Sequence, residues 1–265
     1  MRVFLDIGAH TGETLDEVLK DKYAFDRVIC FEPSRTCINA LYEYAKKDSR
    51  VEIQQIGLSN IDGIETLYNP GELNGSIYSE ERNSDHEQET ITLADAHTWY
   101  LANIDISDFV VIKTNCEGSE VNIVDSFLRG ETFKYFYSLL ITFDIRDYPS
   151  LAHQEVEIRK RLKASEYQNF CFSDNMMIGP THEKRLENWL TTFGIDQPSE
   201  PIAELKKKFH KNFVKFSQKS GKLVRMEIQL KRLFGYKNLP SPLKKFFQMI
   251  KRILRINRER SIDRT

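Results

Sequence analysis

Val3-Phe-Leu-Asp-Ile-Gly-Ala-His-Thr-Gly12 decides the fold. Val3, Phe4 and Leu5 form an apolar run of buried-strand type from Arg2 to Ile7, and Gly8 to Gly12 is a glycine-punctuated turn. Thr11 to Asp21 then has helical spacing, with Leu15, Val18 and Leu19 on one face. Working outward, Asp26–Phe31 reads as a second strand closed by Glu32-Pro33. Ser34 is placed to cap a helix running to Lys47, and Val51–Leu58 is a third strand rich in β-branched residues. Strand, glycine turn, helix, strand, helix, strand is the pattern of a mainly parallel sheet with helical crossovers on both faces, an α/β architecture of Rossmann-like type.

Further along, Ile64–Asn69 and Glu89–Leu93 read as extra strands flanking the polar loop Pro70–Gln88, and Ala94–Asn103 as a helix. Phe109–Lys113 is a continuous apolar strand, and Ser119 stands where a cap would open a helix to Leu128. Tyr135–Phe143 is another buried strand, Pro149–Lys163 a helix and Asn169–Phe172 a late strand. Helical spacing returns at Glu183–Phe193 and Pro201–Phe216. Leu223–Phe234 fits helix or strand, with helix preferred. Ser241-Pro242 is a helix start, followed by the apolar face Leu243, Phe246, Phe247, Ile250, Ile253 and Leu254. The expected division is a cofactor-binding domain over residues 1–175 and a helical, basic C-terminal region over 176–265.

The chain has 265 residues with 38 Lys+Arg, 39 Asp+Glu and a net charge of −1. That neutrality hides a split: Leu205–Thr265 holds 19 basic and 3 acidic residues, so everything before it is strongly acidic. A basic stretch of this kind points to an anionic partner. The amphipathic pattern of residues 241–265 suits an anionic membrane surface. Nucleic acid is a rival, but no reading module accompanies the charge. No apolar run reaches the roughly 18 residues of a membrane span, and no signal-peptide pattern is present. Cys30, Cys37, Cys116 and Cys171 form no C-x-x-C pair, so neither a zinc site nor a disulfide framework is expected. A cytoplasmic protein, peripheral at the inner face of the membrane, is the corresponding expectation.

In the glycine turn, Gly8 and Gly12 permit a sharp backbone bend and close approach to a ligand. Asp6, at the strand end, can hold a cationic amine. Glu32 lies about 20 residues beyond the turn at the next strand end, the place from which an acid bonds ribose hydroxyls. The spacing D-x-G-x-x-x-G differs from the dinucleotide pattern G-x-G-x-x-G. It favours S-adenosyl-L-methionine, which has a ribose but no pyrophosphate.

These blocks resemble the FkbM-type S-adenosylmethionine-dependent methyltransferases. The resemblance runs from Val3 to Asp144. It includes Val3–Gly12, Phe31-Glu32-Pro33, Gly57-Leu58-Ser59-Asn60 with Asp62-Gly63, Gly75-Ser76-Ile77, Thr92-Leu93-Ala94-Asp95 and Ile112-Lys-Thr-Asn-Cys-Glu-Gly-Ser-Glu120. It implies a class I methyltransferase fold and O-methylation, with a sugar hydroxyl of a glycan or glycolipid as the preferred acceptor. Asp6, Gly8, Ala9, His10, Gly12, Glu32 and Pro33 would shape the cofactor site, and Ser59 and Asn60 would lie near the adenine. Asn115, Glu117 and Asp144 would face the acceptor. Where the family usually has Asp, this chain has Asn115, which cannot act as a carboxylate base. Candidate proton acceptors are His10, Glu117, Asp144 and His86. Lys113 could contact substrate or sit in a structural ion pair. The alternatives are a nucleic-acid methyltransferase that uses the basic tail, and a non-catalytic cofactor-binding scaffold.

Overall fold

The structure is a computed structural model that describes residues 1–78, 87–199 and 204. His86, the helices expected from residue 201 onward and the basic stretch 241–265 lie outside the described residues.

Six parallel strands form the central sheet in the order β3-β2-β1-β7-β8-β9. They are β1 (Arg2–Ile7), β2 (Arg27–Phe31), β3 (Val51–Gln54), β7 (Phe109–Thr114), β8 (Ser138–Ile141) and β9 (Phe170–Phe172). β1, β2, β7 and β8 are apolar runs rather than alternating ones because helices cover both faces of the sheet. The strand order reverses between β1 and β7, which makes this a doubly wound Rossmann-like α/β fold.

The helices are α1 (Leu15–Val18), α2 (Arg35–Lys47), α3 (Ala96–Asn103), α4 (Glu120–Arg129), α5 (His153–Ala164), α6 (Ser173–Met176) and α7 (His182–Thr192). One sheet face, with Leu5, Ile7, Ile112, Leu139 and Ile141, packs on Tyr100 of α3, Val124 and Phe127 of α4 and Ile158 and Leu162 of α5. From the other face Phe4 makes edge contacts with Phe25 and with the fully buried Trp189 of α7. A second, three-stranded sheet has the order β4-β6-β5, with β4 (Gly57–Ser59), β5 (Gly63–Tyr68) and β6 (Gln88–Asp95). β5 and β6 are antiparallel, and Leu67, Ile91 and Leu93 form its own apolar cluster.

Four expected elements come out differently. The helix expected over Thr11–Asp21 shrinks to the four residues of α1, and a separate 3₁₀ turn follows at Asp21–Tyr23. Lys20 is extended between them (φ −64°, ψ 136°), and the buried Glu17 carboxylate ties Lys20, Lys22 and the Tyr23 hydroxyl together. The strand expected over Val51–Leu58 divides. Val51–Gln54 stays in the central sheet, and Gly57–Ser59 leaves it to pair with β6. A Cβ at Gly57 would stand 2.7 Å from the Leu93 side chain, so glycine permits that pairing. The strand expected from Tyr135 begins at Ser138 because Asn169 Nδ2 donates to the Phe133 and Phe136 carbonyls and holds the lead-in outside the ladder. The helix expected from Pro149 starts at His153.

Candidate functional site

A cavity of 480 Å³ opens at the carboxyl ends of β1, β2 and β7, where the strand order reverses. Crevices at this position of an open parallel sheet gather ligands, and the volume suits a small molecule. The walls come from Gly8–His10, Glu32–Ser34, Ile56–Leu58, the 71–77 segment and Asn115–Glu117, with Lys113 and His182 among them.

The first wall is the turn after β1. Gly8 has φ +80°, and a Cβ there would fall on the Asn115 backbone carbonyl. Its freedom therefore serves the close approach of the two segments that leave the parallel neighbours β1 and β7, and not only the approach of a ligand. Gly8 and Ala9 both donate their N–H to the Phe31 carbonyl, which ties the turn to β2. Gly12 (φ +100°) lies outside the cavity wall, against Tyr44. The helix that follows has only four residues, too short to present the N-terminal field that holds a pyrophosphate.

Glu32 is the buried acid of the site. Its Oε2 accepts from the His10 N–H at 2.9 Å and its Oε1 from the Ser34 N–H at 2.9 Å. Burial raises its pKa, and those two donors oppose the rise. Each oxygen keeps a second lone pair, so the carboxylate can still accept two hydroxyls of a diol. Pro33, Ile56, Leu67, Ile91 and Leu93 line the same cavity with apolar side chains. The cavity thus combines a buried carboxylate with apolar side chains and has no pyrophosphate cradle beside it.

His10 lines the cavity in the left-handed region (φ +48°), but both its ring nitrogens face acceptors. Nδ1 lies 2.8 Å from Glu13 Oε1 and Nε2 lies 3.2 Å from the Gly71 carbonyl. Burial lowers its pKa, yet these bonds outweigh it and the net shift is upward. His10 therefore bridges two loops with both ring nitrogens engaged, which leaves it poorly arranged to be the base expected of it.

Asp6 departs further from its expected place in the cofactor site. It is fully buried and outside the cavity wall, and the amine it holds belongs to the protein: Lys113 Nζ lies 2.7 Å from Asp6 Oδ1. Lys113 itself reaches the cavity, so both readings of this residue meet in one side chain.

Glu117 follows β7 in the left-handed region (φ +50°) and borders the cavity. Burial, then the nearby Asp144 and Asp147 carboxylates, push its pKa up to about 7. Ser76 Oγ donates to its backbone carbonyl at 2.6 Å, which joins this turn to the 71–77 segment. Asn115 also borders the cavity, and its N–H donates to the Ile7 carbonyl. The expected Ser119 cap makes no side-chain bond. Glu120, fully buried, accepts instead from the Cys116 and Gly118 N–H groups.

Three other expected site residues lie off the cavity wall. Ser59 is buried in β4, and Asn60 Nδ2 donates to Asp125 on α4. Ile56, Gly57 and Leu58, just before them, form the wall instead. Asp144 acts on Glu117 only through its charge; its Oδ2 is buried without a hydrogen-bond partner, and Arg146 pairs with Glu155 and Asp174 rather than with it. The sequence reading missed His182, which comes from α7, about 70 residues beyond β7, with nothing local to mark it. Among the described residues, no group of three or more His, Cys, Asp or Glu gathers as round a metal, and no helix is long and apolar enough to cross a membrane.

No family model matches the chain, and no curated protein matches it. Among solved structures, the chain is similar to the methyltransferase FkbM from Methylobacillus flagellatus KT, at 23% identity and a TM-score of 0.31. That match covers 49% of this chain and 29% of the other.

Proposed function

We propose that this protein is an S-adenosylmethionine-dependent O-methyltransferase, with a sugar hydroxyl of a glycan or glycolipid as its acceptor. The observation that carries the reading is the buried Glu32 carboxylate, which lines one cavity with apolar side chains at the strand-order reversal, with no pyrophosphate cradle beside it. When bound, the cofactor would supply an activated methyl group for in-line transfer. The residues of this chain would do the rest. Glu32 would bind the ribose hydroxyls, and the apolar side chains would exclude water from the base. Glu117, with a pKa near the working pH, would take the proton of the acceptor hydroxyl. Asn115 would orient that hydroxyl and leave the proton to Glu117.

Isothermal calorimetry with S-adenosylmethionine tests the base of the proposal. Wild type is expected to bind, and Glu32→Ala to lose at least tenfold in affinity. Absence of binding by wild type, or undiminished binding by the variant, would sink it.

The acceptor class rests on the basic, amphipathic character of residues 241–265, which we assign to an anionic membrane surface where lipid-linked glycans are found. Flotation with vesicles containing phosphatidylglycerol should carry the whole chain upward and leave a chain lacking 241–265 behind. Equal flotation of both would remove the membrane assignment.

A further inference from the structure

The reaction proposed above makes no use of one polar corner of the cavity. His182 is the first residue of α7 and lines the cavity together with Lys113 of β7. Its Nε2 is buried and has no hydrogen-bond partner. Leaving a buried polar atom unpaired is costly in a folded protein, so such an atom asks for an explanation. Lys113 has one close partner, Asp6 Oδ1, and a long contact of 3.5 Å to the Gly8 carbonyl. Asp6 Oδ2 is likewise buried and unpartnered.

We propose that Lys113 and His182 together anchor the carboxylate of a ligand whose amino-acid end enters this corner of the cavity. The inference rests on the S-adenosylmethionine reading and adds to it the residues that hold the far end of that molecule.

The donors at this corner support the assignment. Lys113 Nζ gives one of its N–H groups to Asp6 Oδ1 and has others to give, and His182 Nε2 can donate in the tautomer that carries its hydrogen there. The ammonium of the amino-acid end travels with the carboxylate, so that end of the ligand brings no net charge into the corner. The groups that face His182 are Lys113 on β7, Arg185 on α7, Asp6 on β1 and Glu13 in the turn before α1. Burial lowers its pKa, Lys113 and Arg185 lower it further, and Asp6 and Glu13 pull the other way. A carboxylate can accept from both side chains at once, one oxygen to each, whereas a hydroxyl has a single oxygen for the two.

The test compares two probes that differ only in the carboxylate: S-adenosylhomocysteine and its decarboxylated counterpart, 5′-deoxy-5′-(3-aminopropylthio)adenosine. By calorimetry, wild type should bind the first at least tenfold more tightly. His182→Ala should close that gap by weakening the first probe alone. Unchanged binding of the second probe shows that the variant is folded. Equal affinities in wild type, an unaltered gap in His182→Ala, or a parallel loss of both probes would overturn the anchor while leaving the cofactor reading in place. Binding of neither probe by wild type would overturn both.

Discussion

Glu117 places two demands on one side chain. A proton acceptor works best with a pKa near the operating pH, and here burial beside Asp144 and Asp147 raises the carboxyl to about 7 from an ordinary 4.5. The same shift opposes stability. Because the folded value is the raised one, the favourable contribution is complete below pH 4.5 and is lost as pH rises through 7. Above that, the folded protein carries an ionised carboxylate in a poor environment. Glu117→Gln should therefore be more stable than wild type at pH 8, by about 1 kcal/mol after allowance for the partial exposure of the group. The difference should vanish by pH 4. Urea unfolding at the two pH values measures it. Equal stability at pH 8 would mean that the carboxyl titrates as an ordinary one, and its role as the base would lose support. Position alone was legible for this residue, from its place at a strand end beside Gly118. The shift was not, because Asp144 and Asp147 reach Glu117 only through the fold.

Elements were legible where one local pattern sufficed. β1, β2 and β7 are unbroken apolar runs because both sheet faces are covered, and their sequences say so directly. α2 opens at Ser34, whose hydroxyl accepts from the Thr36 N–H as its residue type foretold. Legibility failed where a partner from elsewhere outweighed local preference. The periodicity of Leu15, Val18 and Leu19 continues past the end of α1, but Glu17 spends its carboxylate on Lys20, Lys22 and Tyr23 and the chain turns away. Val51–Leu58 reads as one strand, and only the presence of β6 decides that its second half belongs to another sheet. α4 begins where Ser119 suggested, yet the groups that need satisfying lie at Cys116 and Gly118, and Glu120 reaches them. The same limit applies to the cavity. Gly8 and Glu32 could be read from a strand–turn–helix motif, whereas the wall built by Leu67, Ile91 and Leu93 depends on where the second sheet folds back.

At the scale of the whole molecule, the sheet consists of two halves, β3-β2-β1 and β7-β8-β9, that meet along β1 and β7. Asp6 and Lys113 face each other across that seam in register, and their ion pair at 2.7 Å is buried. A buried pair is seldom the most stable solution: both charges lose their water, and an apolar replacement is often as good or better. Removing one partner is different, because the other is left buried and unpaired. Lys113→Met alone should therefore lower stability by about 3–5 kcal/mol. Asp6→Val combined with Lys113→Met should recover most of that loss, bringing the unfolding free energy to within about 1 kcal/mol of wild type. A urea-unfolding cycle over the four chains decides the matter. If the double variant is as unstable as the sum of its singles, the pair is needed to hold the two halves together, and the seam is its purpose. If the double variant recovers, the fold does not need charge at this position. The reason for keeping a lysine there must then lie at its other contact, on the wall of the cavity.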